Sequence, residues 1–447
     1  MNFLNKCSEC VDGTEIIDTK SHNLMSKLFK CCGFLVLAIS STLSAQENPN
    51  AGNSKHEAEV STSFENCGGS PACLRALNNE FLRRLPVYKG AVDGVGNTAR
   101  FDQPESIAVD KSGNLYVADT LNETIRKITP SGVVTTLAGL AKTSGSADGQ
   151  GSSARFYRPT GITIDKTGNL YVADSMNGTI RKITQDGTVS TIAGKAGTKG
   201  IDRDRDGVGS NARFDLPAEI TIDNQDNLYF INPFKVLMLK PDGMVTTIAG
   251  GDPLLNRDNE DTESDGPAKL ARFNGLAGIA IDKEHNLFVT DASDGTIRKI
   301  SPSGYVTTVA GLALHFGYKD GKGAEARFRK LRGITTDGNG NLYVADIAAH
   351  SIRKVTPDGI VSTLAGDPRA FGNIDGKGSS ANFMWTMGLA TDNANNIYVT
   401  DMAAQTIRKV TQSGVVSTVA GPNGKDLFAG KKLVIDDDGN FQLLNKE

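Results

Sequence analysis

Asp202 to Gly207 reads DRDRDG, three carboxylates at alternate positions followed by glycine. A calcium loop begins this way, because a hard cation takes several carboxylate oxygens around a sharp turn. The twelfth position of such a loop needs a bidentate glutamate and holds Arg213 here, while Asp206-Gly207 fills a DG place that recurs at Asp93, Asp148, Asp265, Asp320 and Asp375. Only Asp202 and Asp204 are additional, so the stretch reads as a charged loop turn, with calcium as the weaker reading. Nucleophilic and metalloprotease chemistry have no foothold, since there is no GxSxG elbow, phosphate-cradling loop or HExxH helix. Of five histidines, His22, His56 and His285 lie in unpromising places, and His315, on a long loop, is the candidate for proton transfer or ligand contact.

Four of the six cysteines, Cys7, Cys10, Cys31 and Cys32, precede residue 46. From Met25 the chain reads MSKLFKCCGFLVLAISSTLSA, lysines before a short apolar core that ends in small residues at Ala45, which is an export signal. That core is shorter than the roughly 20 apolar residues of a spanning helix, so no stable membrane span is expected after cleavage. Residues 1–24 then read as an upstream extension, 25–45 as the signal and 46–63 as a polar spacer, and the mature protein is expected to be secreted or periplasmic. In an oxidising compartment Cys67 and Cys73 close the small loop CGGSPAC as a disulfide, since a lone pair makes a poor metal site. Leu74, Leu77, Phe81 and Leu85 repeat at helical spacing behind Ser70-Pro71, so 64–84 reads as a short helical segment pinned by that bridge.

Charged residues make up 22% of the 447 and the formal charge is -3, with no long basic run, which excludes a sequence-level footprint for nucleic acid. Glycine, at 49 residues, suits many short strands joined by turns. The strands are legible as a repeat. GNLYVAD at Gly113, Gly168 and Gly340 has relatives at Asp226, His285 and Asn395, and its asparagine returns at spacings of 55, 58, 59, 55 and 55 residues. Each unit runs through an apolar stretch ending in Asp, a Gly-Asn turn, LYVAD, TIRKI, a Ser-Gly or Asp-Gly turn and VVTTLAG, which predicts four strands of about five residues. Such a sheet buries both faces only by packing against copies of itself around an axis, so the fold class is an all-β propeller. The surplus early strand at 85–89 and LVIDDDGNFQLL from Leu433 predict a composite seventh closing blade, with a ring of six as the alternative; residues 85–447 form the propeller either way.

The pattern ARFxxPxGI, GNLYVAD, NxTIRKI and VxTxAG resembles the NHL-repeat propellers over roughly residues 85 to 444. The asparagine-histidine pair survives as NE at Asn122, NG at Asn177 and AH at His350, so His350 fills a repeat position. The resemblance implies a ring of six or seven blades. It is open on activity, because the family includes protein-binding modules, and similar propellers include lactonases and lyases with a divalent metal at the axis.

Residues shared by the blades read as scaffold: Arg126, Arg181, Arg298, Arg353 and Arg408 each follow an aspartate by seven residues. Individuality lies where the repeat breaks. Before the inner strands, one column reads Glu105, Thr160, Ala218, Ala277, Arg332, Met387, and the next Ser106, Gly161, Glu219, Gly278, Gly333, Gly388. Glu105, Glu219 and Arg332 break these columns near the expected axial mouth, and the two glutamates are the metal candidates there, ahead of Asp202, Asp204 and Asp206. INPFKVLMLK replaces the usual element in the third repeat, so Asn232 and Phe234 either rim a pocket or belong to a tolerated irregular blade. Trp385, the only tryptophan, sits beside Met384 and Met387 and suits ligand contact or packing. The function expected is an exported module binding a protein or extracellular small molecule, requiring no cofactor, with a calcium- or other metal-dependent hydrolase or lyase as the alternative.

Overall fold

The computed structural model describes residues 89–197, 205–251, 265–422, 431–435 and 441–445. The export signal, the spacer, the Cys67–Cys73 bridge, the 64–84 helix, Asp202 and Asp204 lie outside the described residues.

Each repeat folds as a sheet of contiguous sequence. In blade 1 the order from the axis outward is Pro104–Val109, Leu115–Asp119, Thr124–Ile128 and Val133–Ala138, all antiparallel. The turn after the first strand is set by Asp110. Its Oδ1 accepts the Ser112 and Asn114 backbone N–H groups, and its Oδ2 accepts Asn114 Nδ2 and the Tyr116 hydroxyl. Gly113 supplies the left-handed φ of 82° that this turn requires. Asp165 with Asn169 and Tyr171, and Asp337 with Asn341 and Tyr343, repeat the device.

The sequence predicts four strands per blade, and the sheets have five. The residues after the recurrent DG aspartate add a two-residue edge, Gly94–Val95 pairing with Val133 and Val134 in blade 1. Asp93 holds that edge by accepting Thr136 N and Thr136 Oγ1, and Asp206 does the same with Thr247 at 2.9 Å. The last aspartate of DRDRDG is therefore occupied by the repeat.

The ring has six blades, which corrects the composite seventh. Six apolar clusters lie between successive sheets, and one joins Ala390, Tyr398, Ile407 and Ala420 of blade 6 to Phe101, Ile107 and Val117 of blade 1. Gly421 N donates to Gly96 O at that junction, just as Gly139 N donates to Gly151 O between blades 1 and 2. The carboxyl-terminal strand Lys431–Ile435 pairs with Ala370–Phe371 on one side and Phe441–Asn445 on the other, in a separate three-stranded sheet. The sequence reading failed here because strand content cannot say which edge a surplus strand meets.

Inside the blades, Asp119, Asp174, Asp346 and Asp401 stand 2.8, 2.7, 3.5 and 3.9 Å from Arg126, Arg181, Arg353 and Arg408, with both side chains fully buried. Arg126 also reaches Asp93 at 2.7 Å and lies over the Phe101 ring at 5.2 Å, so its charge is satisfied on several sides. Blade 3 has no such pair. Asn232 and Leu237 take the two places, and Phe214 and Phe230 meet edge to face at 4.9 Å.

Candidate functional site

All six inner strands start at one end of the axis, where they crowd. A Cβ on Gly161 would overlap the Ala218 carbonyl, and one on Gly388 would lie 2.6 Å from Ser106 Cα. Glycine is therefore demanded where neighbouring inner strands touch. Blades 1 and 3 depart from it with Ser106 and Glu219, and these two side chains meet over the bare Gly161. Ser106 Oγ donates to Glu219 Oε2 at 2.9 Å and accepts Ile162 N at 3.4 Å.

Below this ring runs an axial channel of about 180 Å³, lined by residues from all six inner strands, with a mainly polar surface. Ser106 and Glu219 stand at one end, and Val109, Ile164, Thr336 and Thr391 at the other. The chemistry is thus confined to one mouth. Glu105 from blade 1 faces Arg158 of blade 2, Oε1 to Nη2 at 3.6 Å. Arg332 of blade 5 lies near enough to Glu105 and Glu219 to act on both electrostatically. Its guanidinium makes no hydrogen bond among the described residues, and its Nε is buried without a partner. Lys330 is close by, and its ammonium is pushed below the usual lysine range by desolvation and by Arg332.

Burial raises the Glu105 carboxyl despite the two guanidiniums that oppose the shift. Glu219 is pushed up to about 8 by burial, with Glu105 adding to the rise and Ser106 and Arg332 opposing it. At neutral pH Glu219 therefore carries its proton, and Arg158, Lys330 and Arg332 are the basic groups gathered around it and Glu105. Among the described residues no three His, Cys, Asp or Glu side chains converge as metal ligands.

The structure thus brings Glu105, Glu219 and Arg332 together, as their column breaks suggest. Trp385 occupies the register place of Arg158 and Lys330 in blade 6, half-buried, with its backbone N–H donated to Asp401 Oδ1 at 2.8 Å. Asn232 is buried and turns its Oδ1 to the backbone N–H groups of Phe234 and Lys235, while Phe234 is exposed. His315 is exposed on its loop, Nδ1 against Ala313 O at 2.8 Å, and no hydrogen bond ties it to the mouth.

Sequence reasoning missed Arg158, Lys330 and Glu123. The first two belong to the column Gln103, Arg158, Leu216, Gly275, Lys330, Trp385, which changes in every blade and so offers no consensus to break. Glu123 belongs to a column of left-handed residues with Gly178, Gly295, His350 and Gln405. Three of these staple one blade to the next: Glu123 Oε2 accepts Arg158 N, Gln405 Oε1 accepts Gln103 N, and His350 Nδ1 bonds Met384 O. His350 is buried and edge-on to Phe371, and burial holds its pKa below the ordinary value, which fits a structural part.

With this geometry in place, the chain can be set beside known proteins. A profile of the NHL repeat matches residues 101–128, and one of the Teneurin NHL domain matches residues 141–250. The chain is 30% identical over 331 residues to NHL repeat-containing protein 2 of Gallus gallus, across 67% of this chain and 45% of that protein. It therefore spans less than half the length of that relative. A structural-genomics protein of Bacteroides thetaiotaomicron superposes with a TM-score of 0.55 at 20% identity, covering 74% of this chain and 73% of the other. An auxiliary nutrient binding protein of the same species gives 0.52 at 15%, covering 74% and 72%. Likeness at these identities shows the shared fold. Among the described residues no helix is long and apolar enough to cross a membrane.

Proposed function

This chain is an NHL-repeat β-propeller, and from that premise we propose that it is a binding module whose ligand seats at the axial mouth. The fold does not choose between binding and catalysis. One observation carries the reading: charged side chains that the blades do not share, contributed by blades 1, 2, 3 and 5, gather around Glu219 at one end of one channel. A convergent polar set over a rigid, preformed opening is what a ligand site needs. The hydrolase or lyase reading would place a divalent cation among Glu105 and Glu219, where Arg158 and Arg332 already oppose it and Ser106 holds one carboxylate oxygen. We place the module outside the cytoplasm, on the export signal at 25–45.

A fragment screen by ligand-observed NMR, with anionic, neutral and cationic compounds, tests the mouth. Ala277→Trp fills it from blade 4 at the register place of Glu105. Fragments that bind the native protein and are lost in Ala277→Trp support the reading, provided the variant keeps its circular dichroism. Absence of any mouth-directed binder, or binding indifferent to Ala277→Trp, would sink it.

A further inference from the structure

We propose that the mouth recognises a small hydrophilic carboxylate, held by the Arg332 guanidinium with Lys330 beside it and a hydrogen bond from the Glu219 carboxyl. This rests on the binding reading above and names its ligand class.

Charge comes first. Glu105 meets Arg158 at 3.6 Å and feels Arg332 as well, so one carboxyl faces three basic groups with Lys330, and the Arg332 guanidinium is held by no hydrogen bond among the described residues. An unbonded guanidinium with a buried Nε–H bears a desolvation cost that an arriving acceptor removes. A planar carboxylate suits its fork, taking two parallel N–H donors.

Glu219 fits the same ligand. One of its oxygens is fixed by Ser106 Oγ at 2.9 Å. Protonated, as burial and Glu105 make it near neutrality, it has an O–H to give and does not repel an anion. The groups facing it are Ser106 and Glu105 from blade 1 and Arg332 from blade 5. Space and polarity set the rest, since a channel of about 180 Å³ with a mainly polar lining takes a few polar heavy atoms and no long apolar chain.

The probes are lactate, its neutral amide lactamide, ethanolamine as cation, and calcium ion, titrated into the full chain while the Arg332 Nε–H resonance is followed by ¹⁵N NMR. Lactate should shift that resonance saturably, and Arg332→Met should weaken its binding roughly ten- to a hundredfold. Arg332→Lys should restore part of the loss. Lactate affinity should fall as pH rises through about 8, and Glu219→Gln should keep the binding while flattening that dependence. The inference is overturned if lactamide binds as well as lactate, if lactate binds equally to Arg332→Met, or if only ethanolamine or calcium binds. In the last case, loss of that binding in Ala277→Trp would leave the mouth as a site and remove the carboxylate alone.

Discussion

Ser106 and Glu219, from blades 1 and 3, hydrogen bond at 2.9 Å over Gly161 of the blade between them. The bond exists because blade 2 presents no side chain at that level. It also seats a carboxyl half-buried at the head of the channel, and that partial loss of solvation pushes Glu219 up to about 8.

That shift makes stability depend on pH. Glu219 binds its proton more tightly folded than unfolded, where the value is 4.5. Its contribution is therefore complete below about 4.5 and is lost as pH rises to about 8. Glu123, raised to about 7, and Asp119 and Asp174, raised to about 6, act in the same sense. Asp110, Asp165 and Asp337 are lowered and act oppositely, losing stability as pH falls below their ordinary 3.8. Urea denaturation should find wild-type stability greatest near pH 4–5. Glu219→Gln keeps the acceptor for Ser106 and should match wild type there, yet exceed it at pH 9 by on the order of 1–3 kcal/mol. Equal curves for the two proteins across this range would contradict the burial argument.

Ring closure gives a second expectation. Blade 6 meets blade 1 through the Gly421 to Gly96 bond and the cluster around Phe101 and Ile407, none of which uses residues beyond 422. A chain ending at Pro422 should keep its circular dichroism and lose no more than about 5 °C in Tm. An unfolded or molten product would show that the carboxyl-terminal strands complete the ring after all.

What the sequence revealed follows from how local the determinants are. The Asp110, Asn114 and Tyr116 turn is encoded within seven residues, so strands and repeat were legible. Glu105, Glu219 and Arg332 stood out because their columns have a norm to violate. Arg158 and Lys330 occupy a column without a norm, and the role of Glu123 depends on a left-handed backbone aiming its carboxylate at the next blade. The number of blades is a property of closure between residues some 300 apart, such as Gln103 and Gln405.

Blade 3 shows what the buried ion pairs are for, because it does without one. Asn232 and Leu237 stand where blade 1 has Asp119 and Arg126, and the sheet still forms. Removing one partner elsewhere should be costly, since Arg126→Leu strands the Asp119 carboxylate in a fully buried place, at about 3–5 kcal/mol. Adding Asp119→Asn removes the orphaned charge and reproduces the blade 3 pair. The double variant should therefore be more stable than Arg126→Leu alone, with a coupling of about 1–3 kcal/mol in a double-mutant cycle. Independent, additive costs would mean that the pair is not electrostatically linked, and that blade 3 manages without it through the Phe214 and Phe230 contact instead.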